Sequence, residues 1–340
     1  MEELYVGMDL HSRNTYTGII TKDFKRVFGK RLTNDLPVIV GALEPFRNKI
    51  QGIVVESTYN WYWLVDGLMD AGYDCLHLAN PSAIKQYEGL KHVDDKFDSF
   101  WLAHLLSLKI LPEGYIYPKE ERPVRDLLRK RSFLVKQRTS HIHSLKSMIE
   151  RNTGERISTR KLTGPDRIDL EQLLKEEYLF LSANASRSNI KFLSHHIKII
   201  EKAVRKKIEI KKGFEFLKTV PGIGDILALT IMLEVGDINR FPKVGDFSSY
   251  CRCVSSKWTS NGKSKGKGNT KNGNKYLAWA FVEAAHFAQR FSPTIKRYYQ
   301  RKSAKRNEIV GRKAIANKLA RACYYIMRDK VPFKEEASFC

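Results

Sequence analysis

Four acidic residues stand where solubility alone does not account for them. Asp9 falls inside Tyr5-Val6-Gly7-Met8-Asp9-Leu10-His11, where Val6, Met8 and Leu10 alternate with Tyr5, Gly7 and Asp9 at the period of a strand. A carboxylate in a buried strand is costly unless something pairs with it. A divalent cation is one such partner, and backbone donors at a strand end are another. Glu56 closes the apolar run Ile53-Val54-Val55, the pattern of a central strand. Asp95 and Asp98 open a helical stretch and share a face at i,i+3; Asp94 and Asp98 share one at i,i+4. Acids in a first turn also suit the helix dipole. Taken together, four carboxylates from distant segments suit a hard cation such as Mg²⁺ or Mn²⁺, which takes oxygen ligands. Two such ions about 3.5–4 Å apart can clamp the attacking and leaving oxygens of a phosphodiester.

A second chemistry lies far downstream. Residues 255–275 carry six lysines, four glycines and no acid: Lys257, Lys263, Lys265, Lys267, Lys271 and Lys275 interleave with glycines and with the hydroxyls of Ser255, Ser256, Thr259, Ser260 and Ser264. Lysines neutralise phosphates, and glycines let the backbone approach a ligand closely. A serine oxygen becomes a nucleophile when nearby charge or a base activates it. Upstream, Val220-Pro221-Gly222-Ile223-Gly224 reads as a turn between helices. Backbone N–H groups around Gly222 and Gly224 would there hold a phosphate without reading bases.

The elements that position these groups follow from periodicity. Strands are expected at Leu4–Leu10, 15–21, 26–32, 53–56 and 73–79. Helices are expected at 35–48, at 60–71 and from Pro81. Three strands followed by helix–strand–helix–strand fit an α/β, ribonuclease H-like first domain, at 1–118. Residues 120–151 and 188–212 then read as long helices. In the second, Ile190, Leu193, Ile197, Ile200, Val204 and Ile208 form a coiled-coil seam that favours a dimer. A coiled-coil region is thus expected at 119–213, with a mainly helical, basic domain at 214–340. In that last part Arg297, Arg301, Lys302, Lys305, Arg306, Arg312 and Lys313, with Tyr298 and Tyr299 among them, suit tracking along nucleic acid.

Composition narrows the partners. The chain of 340 residues has 60 Lys+Arg against 37 Asp+Glu, a net charge of +23, which points to a polyanion and foremost to nucleic acid. No apolar run is long enough to span a membrane and Met1-Glu2-Glu3 begins no signal peptide, so no membrane partner is expected. The five scattered cysteines suit reduced thiols in a cytoplasm.

These motifs resemble a known family. Gly7-Met8-Asp9-Leu10-His11, Val54-Val55-Glu56-Ser57, Asp95-Lys96-Phe97-Asp98-Ser99, Val220-Pro221-Gly222-Ile223-Gly224, Thr259-Ser260-Asn261-Gly262-Lys263 and 268–277 occur in the order found in DEDD-type insertion-sequence transposases related to the Piv invertase, which are bridge-RNA-guided recombinases. The resemblance implies a resolvase-like first domain with Asp9, Glu56, Asp95 and Asp98 as a Mg²⁺-binding tetrad. It implies Ser260 as a nucleophile that joins covalently to cut DNA. It further implies target and donor DNA and a structured RNA as partners, a homodimer or homotetramer, and a place at the bacterial nucleoid in the cytoplasm. Some 160 residues part the tetrad from Ser260, so the two are expected to meet across protomers. Where the family has Thr before the third acid this chain has Asp94, which leaves Asp94 or Asp95 as the ligand. The competing expectations are a junction nuclease that uses water, and a nucleic-acid-binding protein whose acids are structural.

Overall fold

The computed structural model describes residues 2–84, 94–164, 168–206, 214–255, 258–266 and 272–339. The chain divides into two units, Met1–Lys119 and Glu120–Cys340.

In the first unit, β1 (Leu4–Leu10), β2 (Asn14–Thr21), β3 (Arg26–Thr33), β4 (Ile50–Glu56) and β5 (Leu76–Ala79) form one mixed sheet in the order β3-β2-β1-β4-β5. β1, β4 and β5 run parallel, and β2 is antiparallel to both of its neighbours, so β3 runs in the same direction as β1. The helices are α1 (Leu36–Leu43), α2 (Trp61–Asp70), α3 (Pro81–Ile84) and α4 (Asp95–Ser107). The helix expected through 48 changes to a 3-10 turn at Glu44–Lys49, where Pro45 lacks the N–H that α-helical pairing needs. The strand expected from 73 begins only at Leu76.

The two-residue period of β1 sorts its side chains. Leu4, Val6, Met8 and Leu10 pack with Ile39, Leu43, Leu64, Val65 and Leu68 of α1 and α2. Tyr5, Gly7 and Asp9 therefore take the opposite face, where α4 lies against β1 and β2. Gly7 pairs with Gly18, and Gly18 with Gly29, so a row of glycines crosses three strands beneath α4. A Cβ on Gly7 would collide with the Ser99 carbonyl, and one on Gly18 or Gly29 would press on the Phe100 ring. The close approach of α4 thus needs the absence of side chains there.

In the second unit, α5 (Arg122–Thr153) and α8 (Glu177–Arg205) form a long hairpin, with α6 (Thr159–Thr163) and α7 (Leu170–Leu173) near its tip. Leu145 and Ile149 of α5 cluster with Ala183 and Ile190 of α8, and Leu128 clusters with Val204. The expected seam is therefore buried against α5 of the same chain; Ile208 lies outside the described residues. Arg131 Nε to Glu201 Oε1, at 2.8 Å, bridges the pair. The remainder is α9 (Phe214–Lys218), α10 (Asp225–Val235), α11 (Val244–Tyr250), a two-stranded hairpin of β6 (Trp258–Ser260) and β7 (Lys263–Gly266), α12 (Lys275–Phe291), α13 (Pro293–Ala304), α14 (Glu308–Asp329) and α15 (Glu335–Phe339). α10, α12 and α14 share one apolar core. Among the described residues no helix is long and apolar enough to cross a membrane.

The glycine row gives a direct test. Gly7→Ala should lower stability by about 1–3 kcal/mol, the usual cost of overpacking. Urea unfolding checks this; an unchanged midpoint would show that α4 does not rest on the β1 backbone.

Candidate active site

The strand register brings two carboxylates together. Met8 pairs with Val55 across the parallel strands β1 and β4, so one step further on Asp9 comes level with Glu56. Both sit at the C-terminal end of their strands, on the α4 side of the sheet. Asp95 lies four residues before Ser99, on the stripe of α4 that faces the sheet, and Asp98 follows one turn on.

Asp9 is buried, at 2% exposure, and its Oδ2 is met by the His11 imidazole. His11 Nε2 stands 3.0 Å from that oxygen and 3.2 Å from Asp95 Oδ1. Arg31 Nη2 reaches Asp95 Oδ2 at 2.8 Å. The His11 backbone carbonyl accepts from Asn34 Nδ2 at 2.9 Å and from Asn60 Nδ2 at 3.1 Å, which fixes the turn that carries the imidazole. Burial acts to lower the His11 pKa, but the neighbouring Asp9 and Asp95 outweigh it and the net shift is upward. Glu56 is pushed from its ordinary value near 4.5 up to about 7, first by burial, then by its hydrogen bond with Asp9 and by the charges of Asp9 and Asp98. Asp9, His11 and Asp95 each offer a ligand atom, all within 4.8 Å of one another. A buried carboxylate within this donor set fits a hard cation.

Asp94 and Asp95 have different surroundings. Asp94 is the N-cap of α4, and its Oδ1 accepts from the Phe97 N–H at 2.7 Å. Asp95 carries the contacts to His11 and Arg31. Asp98 enters the cluster through its charge on Glu56.

The serine sits on a built turn in the second unit. Ser260 pairs with Lys263 across Asn261-Gly262, and both turn residues have positive φ, at 50° and 70°. That is the backbone of a two-residue hairpin whose favoured sequence is Asn-Gly. Ser260, Lys263 and Lys265 are exposed. Lys275 is exposed in the first turn of α12; Lys257, Lys267 and Lys271 lie outside the described residues. The base of the loop is clasped: Arg252 donates to the Gly273 carbonyl from Nε (3.0 Å) and Nη2 (2.8 Å), and the Asn274 N–H donates to the Tyr250 carbonyl at 2.6 Å. Gly222 packs on α12, where a Cβ would meet the backbone at Ala284 and Ala288, whereas Gly224 faces open space. The start of α10 also holds Asp225, paired with Arg205 at 3.4 Å and Lys218 at 3.3 Å.

Two family models match the chain. One for the IS110 DEDD transposases, described as "Transposase", covers residues 6–153, and one described as "Transposase IS116/IS110/IS902 family" covers residues 214–300. The chain belongs to the IS110 transposase family. It is similar to the "Transposase for insertion sequence element IS1328" of Yersinia enterocolitica, with 25% identity over 226 residues. The match spans 64% of this chain and 66% of that protein, just short of two thirds of its length.

Within this IS110-family chain two features had no sequence signal. His11 is a lone histidine after a strand, and only the fold sets it between two acids. The other is the anchor of the serine loop. Glu234 of α10 is buried and receives Arg129 from Nε at 2.6 Å and Nη2 at 2.8 Å, Arg125 at 3.2 Å and Asn274 Nδ2 at 2.7 Å. Burial raises the Glu234 pKa, but the arginines and Asn274 outweigh it, so it falls below the usual carboxylate value. The Oδ1 of Asn274 in turn caps α12, accepting from Tyr276 N–H at 2.8 Å.

Glu56 makes stability depend on pH in a defined direction. The folded state holds a proton between pH 4.5 and about 7 that the unfolded chain has released. Metal-free protein should therefore lose stability as pH rises through that window, by about 2 kcal/mol after allowance for partial exposure. Urea unfolding of wild type and Glu56→Gln at both ends of the window checks this, and the variant should lack that loss. An equal pH response in both proteins would remove the assignment to Glu56.

Proposed function

We propose that this chain is a DNA recombinase that moves an insertion sequence by cutting and rejoining strands, with a Mg²⁺-bound acidic tetrad and a serine nucleophile. The observation that carries the reading is the crowding of Asp9, Glu56, Asp95 and Asp98 at one end of the sheet, with Asp9 buried among them. The strand order β3-β2-β1-β4-β5, with only β2 running against the others, supports a ribonuclease H-like domain. Asp9, Glu56, Asp95 and Asp98 would hold the ion, with His11 beside them. When bound, Mg²⁺ would supply Lewis-acid polarisation of the scissile phosphate.

Ser260 would attack that phosphate. The Oγ–P bond forms, a P–O bond to a deoxyribose breaks, the serine proton passes to solvent base, and the departing oxygen takes up a proton. The phosphoserine ester keeps the energy of the phosphodiester, so a second hydroxyl can reverse the step on a new strand without ATP. Lys263, Lys265 and Lys275, with Lys257, Lys267 and Lys271, would neutralise the phosphates near Ser260. Gly222 and Gly224 would contribute backbone N–H groups to a phosphate further along. A structured bridge RNA would select target and donor. Pairing of two or four copies draws support from α8, where Phe192 and Ile199 are seven residues apart and exposed.

The test is a denaturing gel after incubation with target, donor, RNA and Mg²⁺. Wild type should give a protein–DNA adduct and Ser260→Ala none. Asp9→Asn should slow its formation on the order of 100-fold, the size expected for losing ~3 kcal/mol of metal stabilisation. An undiminished adduct in Ser260→Ala would overturn the nucleophile, and cleavage with no adduct at all would assign the attack to water.

A further inference from the structure

A groove of about 1100 Å³ lies between α13, α14, α15 and residues 252–255. Cations line it from several directions: Lys302 of α13, Arg306 of the following turn, Lys313, Lys318 and Arg321 of α14, and Lys334 before α15. No Asp or Glu is among its lining residues. On α14 the positions Lys313, Asn317, Arg321 and Tyr325 recur every four residues, so one face of the helix is turned to the groove. Lys318 is held in place by donating to the Ser338 carbonyl at 2.6 Å. Lys313, Arg306 and Arg321 are exposed and make no ion pair with a described acid.

A solvated helix face would be convex and could spread its charge into water. Here like charges from three elements converge on a concavity, an arrangement that costs free energy until an anion enters. The groove also carries aromatic surface. Tyr325, 40% exposed, and Tyr298 both line it. Exposed rings give little to a duplex, whose bases are already stacked, but offer a stacking platform to an unpaired base. The far wall includes Arg252, Cys253, Val254 and Ser255, which precede the Ser260 hairpin in the sequence.

We infer that this groove holds a single polynucleotide strand, its phosphates on Lys302, Arg306, Lys313 and Arg321 and a base against Tyr325. The inference deepens the recombinase reading by naming an unpaired strand as the species led toward Ser260, and it rests on that reading for the direction only. The cations take phosphate from DNA and RNA alike, so both are probed.

The experiment is fluorescence anisotropy with labelled single-stranded DNA, single-stranded RNA and duplex DNA, on the full chain in EDTA. Without metal the binding result is independent of cleavage, so a failure here leaves the adduct assay to judge the recombinase reading alone. Lys313→Ala/Arg321→Ala should lower the slope of log affinity against log salt by about 1.4 and weaken single-strand binding about 25-fold near 0.1 M salt. Tyr325→Ala should weaken single-strand binding about tenfold and leave duplex binding unchanged, while Tyr325→Phe restores it. Arg160→Ala/Lys161→Ala removes the same charge from an exposed site elsewhere in the unit. The inference is overturned if that control loses as much as the groove variant, or if Tyr325→Ala affects single strands and duplex equally. Thermal unfolding of each variant, with midpoints matching wild type, shows that the losses come from binding.

Discussion

Two carboxylates held side by side at the end of a parallel strand pair set the terms for the first unit. Asp9 is buried and Glu56 half-buried, and the register of β1 on β4 sets them side by side. Like charges at such a distance cannot both ionise cheaply, and the upward shift of Glu56 is the response. Two further acids on α4 and the cations His11 and Arg31 complete a balance that a divalent ion would meet better.

The scaffold enforces this closeness through backbone contact. Gly7, Gly18 and Gly29 recur every eleven residues, and the antiparallel register lines them up under Ser99 and Phe100. With side chains there, α4 would stand off the sheet and Asp95 would lose His11. The second unit uses the opposite device. Glu234 is a buried acid fully met by two arginines and an asparagine, and so it fixes α5, α10 and the start of α12 together. A satisfied network of this kind is rigid, and it ends one residue after the loop that carries Ser260's basic surroundings. One acid is paired to hold a structure; in the proposed reading the others hold a ligand.

Much of this was legible in the sequence, for physical reasons. Alternation of apolar residues marked β1, and a continuous apolar run marked β4 as a central strand covered on both faces, and these placed Asp9 and Glu56 with them. The seam of α8 was legible as a seam, but periodicity cannot say whether the partner helix belongs to the same chain; here α5 fills it. The β6–β7 hairpin was not foreseen, since lysine, serine and glycine are poor strand formers, although Asn261-Gly262 is the turn that hairpins favour. His11, the glycine row and the Glu234 network were out of reach because each depends on register or on contacts between residues far apart in the chain.

The most direct measurement is anomalous diffraction from crystals of the protein soaked in Mn²⁺. The account predicts a peak bounded by Asp9, Glu56, Asp95 and Asp98, lost in crystals of Asp9→Asn. A Mn²⁺ peak elsewhere with this cluster empty, or a peak that persists undiminished in the variant, would contradict it.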